Sequence, residues 1–214
     1  MKILIDIGHP AHVHYFKNFI QIMQTKGHDF LICARNKEMT FELLKIYNIN
    51  FINRGNGGKG LLGKLKYLVN ADKFLYRAAK KYKPDLFLSF SSPYAAHVSK
   101  LIGKPHIAFD DTEHARFEHI LYVPFTDSIL TPECFKKNLG SNHLRFYGTM
   151  DLAYLHPNVY MPDPSWATKQ NLTSSQPIIL IRYVSWEASH DKGYKGLSVK
   201  DKIELVNSLK SIGR

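Results

Sequence analysis

Short apolar runs of strand length alternate with stretches of helical periodicity from Ile3 to Tyr147, and few folds accept that order. Ile3 to Ile7 reads as a strand that stops at Gly8, His9 and Pro10. Tyr15 to Lys26 reads as a helix, because Phe16, Phe19, Ile20 and Met23 recur at i, i+3, i+4 and i+7, and Gly27 supplies a helix end. Phe30 to Ala34 is a second strand, Glu38 to Tyr47 a second helix and Asn50 to Ile52 a short third strand. A long amphipathic segment, Leu61 to Tyr82, closes at Pro84. The alternation then resumes with strands at Asp85 to Phe90, His106 to Phe109, Ser128 to Thr131 and Leu144 to Tyr147, and helices at Ala95 to Ile102 and Ala115 to Leu121. This cadence predicts an α/β fold, a parallel sheet with helices on both faces. Ligands of such sheets bind beyond the carboxyl ends of the strands, so the loops that follow strands are the ones to examine.

After this the pattern breaks. Residues 155–177 carry Pro157, Pro162, Pro164 and Pro177 among polar neighbours and read as a linker, which leaves 1–154 as one domain. Ile178 to Val184 restarts as a buried strand and Val199 to Ile212 as a helix. One strand and one helix make only the opening of a second α/β unit, so 178–214 is expected to be an incomplete domain.

Charge narrows the partners. The chain holds 29 Lys+Arg against 18 Asp+Glu, a net charge of +11, which calls for something anionic: nucleic acid, lipid or a phosphorylated small molecule. No helix-turn-helix, RNA-recognition or zinc-finger pattern accompanies the charge, so no specific nucleic-acid partner is expected. Cys33 and Cys134 form no Cys-x-x-Cys motif, which argues against a thiolate metal site or a disulfide scaffold. No secretory leader and no apolar run of roughly 18 residues is present, so the protein is expected to be cytoplasmic.

Five post-strand loops concentrate chemistry. Gly8 to His14 places His9, His12 and His14 on a turn opening a helix, where imidazoles can bind metal, move protons or meet an anion; one may equally cap or pack while the others are solvated. Arg54 to Gly60, RGNGGKG, lacks the Lys and Ser/Thr of a Walker loop, because Leu61 and Leu62 stand there; it is either a source of backbone N–H donors for an anion or a plain linker. Ser91, Ser92 and Tyr94 offer donors for a sugar or phosphate, although helix capping explains a serine there equally well. Asp110, Asp111, Thr112, Glu113 and His114 can supply a general base tuned by like-charge neighbours, or can compensate a helix dipole. The last loop, Arg182 to Asp191, is dense in ionisable groups. Lys59 to Lys83 is a basic segment with Leu61, Leu65, Leu68, Leu75 and Ala79 as an apolar stripe, suited either to an anionic membrane surface or to a core helix with a solvated face.

The strings GHPAHVHYFKN, PDLFLSFSSPYAAHVSKLIGKPHIAFDDTEHA, LAYLHP and RYVSWEASHDKGYKGLS together closely resemble the prokaryotic domain-of-unknown-function family 354, over essentially the whole chain. That family is similar to GT-B glycosyltransferases and to non-hydrolysing UDP-N-acetylglucosamine 2-epimerases, and its members are often encoded among surface-polysaccharide genes. The resemblance implies two facing Rossmann-like domains, with 1–154 as the acceptor side and 178–214 as the start of the donor side. It implies that Asp111, Glu113, His114 and His12 carry the catalytic chemistry. His9, His14, Ser91, Ser92 and Tyr94 would bind substrate, with Arg182, Ser185, His190 and Asp191 facing the donor diphosphate. The implied partners are a nucleotide-sugar donor, once a complete donor domain is present, and a lipid-linked or glycan acceptor, with the basic segment at the inner face of a membrane. No metal or other cofactor is implied, because helix N-termini can neutralise a leaving diphosphate. Without most of a donor domain, these 214 residues alone are not expected to transfer sugar. The alternatives on the same fold are a UDP-sugar epimerase-like enzyme and a non-catalytic protein that binds anionic ligands.

Overall fold

In the computed structural model, which describes residues 1–58, 60–172, 177–183 and 195–213, seven strands form one parallel sheet. The strands are β1 (Lys2–Ile7), β2 (Asp29–Ala34), β3 (Ile52–Asn53), β4 (Leu86–Phe90), β5 (His106–Phe109), β6 (Ser128–Pro132) and β7 (His143–Phe146), in the spatial order β3-β2-β1-β4-β5-β6-β7. Between them run α1 (Pro10–Thr25), α2 (Thr40–Ile46), α3 (Gly60–Tyr82), α4 (Pro93–Ile102) and α5 (Arg116–Tyr122). The chain steps outward from β1 to β3, then returns to lay β4 on the other side of β1. Right-handed crossovers in opposite directions put α1 and α2 on one face and α3 and α4 on the other.

The pleat explains why these strands are apolar on both sides. Ile3, Ile5, Ile7, Leu88 and Phe90 join Val13, Phe16, Ile20 and Leu44 in one core, while Leu4, Cys33 and Phe87 join Leu75, Ala79, Ala95 and Val98 in the other. Polar residues inside the sheet are therefore exceptions with partners. His106 is fully buried, with Ser89 Oγ 2.9 Å from Nε2 and Thr126 Oγ1 3.0 Å from Nδ1. Asp6, in the middle of the apolar run of β1, points into the α3/α4 side.

The strand order reverses between β1 and β4. In sheets of this kind the loops leaving the strands on either side of such a reversal diverge, and ligands bind in the crevice this leaves at the carboxyl edge.

The chain divides into two compact units, Met1–Tyr160 and Met161–Arg214. The first ends with α6 (Leu152–Leu155), which is fastened to α1 by the Asn18 side-chain amide donating to Ala153 O at 2.8 Å. The second contains α7 (Ser165–Lys169) and α8 (Val199–Leu209). A reciprocal capping box between Ser198 and Asp201 starts α8 where the sequence places a helix. The strand read at 178–184 does not form over its described part: residues 177–183 have no strand hydrogen bonding, and Leu180 is 94% exposed. A parallel strand needs a neighbour to satisfy its backbone, and the described residues of this unit supply none.

Candidate functional site

Helix α1 begins at Pro10, five residues earlier than its periodic apolar stripe indicates. Pro10 occupies the first turn, where its missing N–H costs nothing, and His9 is the N-cap, its Nδ1 accepting from Ala11 N at 3.2 Å. The loop read as Gly8 to His14 is therefore mostly helix, and His12 and His14 lie about 200° apart around its axis. His14 turns away, within 3.2 Å of Tyr47 OH and against the Tyr154 ring. His9 and His12 remain together, their rings 5.9 Å apart, with His12 packed on Phe90 at 4.7 Å.

Backbone geometry sets the tautomer of both. His12 Nδ1 accepts from Gly8 N at 3.3 Å and His9 Nδ1 accepts from Ala11 N, so each neutral imidazole carries its proton on Nε2. Burial, then the positive neighbours His9, Lys37 and Arg54, push His12 down to about 3, and burial with Lys37 and Arg35 lowers His9 as well. Both rings are thus neutral donors near pH 7. His12 therefore presents Nε2–H to a ligand, its Nδ1 lone pair being taken by the Gly8 N–H.

The carboxylates after β5 separate into different tasks. Asp110 is buried; its Oδ1 accepts from Thr112 N at 2.9 Å, and its Oδ2 accepts from Tyr122 OH at 2.6 Å and His119 Nε2 at 3.0 Å. Burial alone would raise the Asp110 carboxyl, but these hydrogen bonds from His119, Tyr122 and Thr112 hold it below the usual carboxylate range. Lys137 Nζ lies 2.9 Å from His119 Nδ1 and completes a chain of lysine, imidazole and carboxylate. Asp110 therefore fastens the loop.

Asp111, next to it, is exposed at the carboxyl edge and accepts from Thr112 Oγ1 at 3.0 Å. Its carboxyl is raised, first by desolvation and then by the like charges of Asp110 and Asp151. The Asp111 and Asp151 charges also act on Tyr15, whose ring stacks with that of His12 at 6.3 Å. Glu113 accepts the Lys136 backbone N–H at 2.5 Å and is turned toward that loop, and His114 is exposed.

The serines after β4 are largely structural. Ser92 is buried; its hydroxyl donates to Asp6 Oδ2 at 2.5 Å and caps α4 by accepting from Ala95 N. Ser91 donates to Phe109 O at 3.2 Å and holds a left-handed backbone (φ +49°), a strained turn at the strand's carboxyl end. Tyr94 is committed to Arg54, whose guanidinium lies 4.3 Å from its ring centroid. Arg182 is exposed in the second unit, and Ser185, His190 and Asp191 lie outside the described residues.

Beneath the crevice is an ion pair that residue patterns left unassigned. Arg54 Nε sits 2.8 Å from Asp6 Oδ1, both side chains are essentially inaccessible, and Arg54 Nη1 donates to Tyr67 OH at 2.9 Å. Burial disfavours the Arg54 charge, but the Asp6 carboxylate and the surrounding tyrosines raise its pKa on balance, so it stays ionised. A charged residue inside the run Ile3-Leu4-Ile5-Asp6-Ile7 was the signal for it. His119 and Tyr122 had one too, since three-residue spacing puts both on one face of α5.

The parallel sheet and its reversal between β1 and β4 are those of a Rossmann-like half of the GT-B type. The chain belongs to the family DUF354, described as a protein of unknown function, whose model matches residues 1–211. An uncharacterized protein of Methanocaldococcus jannaschii is 26% identical over 210 residues, covering 94% of this chain and 61% of that relative. The UDP-GlcNAc 2-epimerase of Neisseria meningitidis, solved bound to UDP-GlcNAc, superposes with a TM-score of 0.59 at 17% identity, over 72% of this chain and 48% of that one. MurG of Acinetobacter baumannii gives a TM-score of 0.55 at 17% identity, over 70% and 46% respectively. The chain thus spans about half the length of these structures, and its structural neighbours are GT-B glycosyltransferases and UDP-GlcNAc 2-epimerases.

Proposed function

We propose that residues 1–154 are the acceptor-side domain of a nucleotide-sugar-dependent glycosyltransferase acting in surface polysaccharide or glycolipid synthesis, with residues 178–214 opening its donor domain. The observation that carries this is at the carboxyl edge: Asp111, an exposed carboxylate whose pKa is raised, lies near enough to Tyr15 for its charge to act there, and the Tyr15 ring stacks with that of His12, an Nε2–H donor. Such a carboxylate can take the proton of an acceptor hydroxyl while the imidazole orients the acceptor oxygen. Asp110 acts through the loop as a positioning residue. The UDP-GlcNAc in the meningococcal structure supports a nucleotide-sugar partner. The same likeness supports the second reading, an epimerase-like reaction on the UDP-sugar itself.

A longer polypeptide carrying these residues unchanged, incubated with UDP-GlcNAc and a lipid extract, should release UDP and label a glycoside. Asp111→Asn should lower turnover about 10²–10⁴-fold. Rates should fall as pH drops through the Asp111 pKa, which lies above the ordinary carboxylate value. An epimerised UDP-sugar without glycoside would favour the second reading; neither product would leave a ligand-binding protein.

The basic helix supports a peripheral site at the inner face of a membrane. On α3, Leu68, Ala71, Leu75 and Ala79 face the core side, whereas Leu62, Leu65 and Val69 are exposed (83%, 51% and 49%). Leu65, read in one apolar stripe with Leu68, Leu75 and Ala79, thus belongs to the outer face; Lys59 and the Leu61 side chain lie outside the described residues. Lys66, Lys73 and Lys80, at seven-residue spacing, share that outer face. No helix among the described residues is long and apolar enough to cross a membrane. Binding to phosphatidylglycerol vesicles should exceed binding to phosphatidylcholine vesicles, and Leu65→Glu with Val69→Glu should remove most of it. Each lysine near the surface adds about 1 kcal/mol. Equal sedimentation with both vesicle types would refute this role.

A further inference from the structure

Arg35 follows β2 and is the cation in this molecule whose surroundings ask for a ligand. Its backbone is held on both sides, Arg35 N donating to Ile7 O at 2.8 Å and Asn36 N to Gly55 O at 2.9 Å. Its guanidinium lies flat against Gly57, where an added Cβ would fall 2.2 Å from Nη2 and 2.7 Å from Nε, and it sits 5.7 Å from the Tyr67 ring centroid. Its Nε is buried without a hydrogen-bond partner, and no carboxylate pairs with it among the described residues. A buried donor on a fixed cation with no acceptor is uncommon in a native fold and calls for an explanation.

The surroundings state the charge of what is missing. Arg35 shares its surroundings with two further cations, since Lys37 acts with it on His9 and Arg54 acts with it on Tyr67 and Tyr94, while the two acids nearby are taken, Asp6 by Arg54 and Glu38 by Lys37. The N–H groups of Asn56, Gly57 and Gly58 donate to no acceptor among the described residues, and left-handed glycines at 55 and 57 turn this stretch around the guanidinium. Gly57 is thus required by Arg35, which a side chain there would displace, and a side chain at 58 would strike Gly63 O. By contrast, the α1 N-terminus is closed to an anion, because Pro10 has no N–H and Ala11 and His12 donate to His9.

We propose that Arg35, the 55–58 turn and the Nε2–H of His9 form a binding site for a phosphate or diphosphate group. A planar guanidinium can engage two phosphate oxygens at once, with backbone N–H groups taking a third. The proposal deepens the acceptor-side reading and rests on it only for where the phosphate comes from, either a phosphorylated acceptor or the diphosphate of the nucleotide sugar.

Calorimetric titration of the present chain with inorganic pyrophosphate tests the site without any transfer reaction, so its failure is separate from failure of the enzymatic reading. Saturable binding is expected. Arg35→Met should weaken it about ten- to a hundredfold, the worth of a charge-assisted hydrogen-bond pair. Arg35→Lys should weaken it less, and Gly57→Val, which leaves the cation in the chain but pushes it out of place, should weaken it as Arg35→Met does. Lys26→Met, an equal charge change at the far end of α1, should leave it unchanged. No saturable binding, or equal losses from Arg35→Met and Lys26→Met, would overturn the proposal. Geranyl diphosphate binding more tightly than UDP would assign the site to the acceptor, and the reverse order to the donor; either must depend on Arg35, and if neither does the site is refuted.

Discussion

Replacing Arg54 by methionine should destabilise the protein by about 3–5 kcal/mol, the usual consequence of leaving one member of a buried ion pair alone. Asp6 would remain inside the sheet with only the Ser92 hydroxyl to compensate it, and burial already pushes its carboxyl up against the pull of Arg54. Three further elements would lose a partner: Tyr67 its donor, Tyr94 its cation, and the turn after β3 its anchor. The cation–ring contact alone accounts for about 0.5–2 kcal/mol of this. Urea denaturation measures the loss as a shift in midpoint at constant slope. The double variant Asp6→Leu with Arg54→Met should recover most of it, because the uncompensated charge is then gone. A single-variant loss below 1 kcal/mol would show that the pair is solvated and does not organise the crevice floor.

Stability should also fall steeply as pH drops from 6.5 toward 3, before carboxylate protonation accounts for it. Burial pushes His106 and His12 down to about 3, against an ordinary value of 6.5. In that window the unfolded chain binds a proton at each position and the native state does not, so stability rises with pH and is lost on acidification. Each histidine contributes up to about 1.4 kcal/mol per pH unit. The effect is complete above 6.5 and stops growing below about 3. Between pH 6.5 and 5 these two rings contribute to the slope together with His9, His14 and His143, which are also lowered. His106→Gln, which can still bond Ser89 and Thr126, should make the slope measurably shallower. An unchanged slope in that variant would mean that His106 already carries its proton in the native state.

These tests probe features of differing legibility. The βαβ cadence was readable because the apolar period changes from 2 to 3.6 at each boundary, and all seven strands of 1–154 lie within a few residues of where the pattern places them. The start of α1 was misplaced because the stripe at Phe16 to Met23 ignores capping chemistry, although His9-Pro10 carried the signal. The division of labour between Asp110 and Asp111 was not readable, because neighbouring carboxylates look alike until α5 brings His119 and Tyr122 back over one of them. The restart at 178 had the apolar run of a strand but no partner to pair with among the described residues.

By itself the sequence determined the parallel sheet, the edge at which ligands enter and the loops that carry ionisable groups, because strand period, helix period and breaker residues act over a few neighbours. Tertiary structure alone decided which of those groups are free to act. It committed Ser92 and Arg54 to Asp6, turned His12 into a donor, left Asp111 exposed and left Arg35 without a counter-charge among the described residues. The Asp6 contacts reach across 48 and 86 residues of chain, and the protonation of His12 and Asp111 depends on desolvation, neither of which a local pattern encodes.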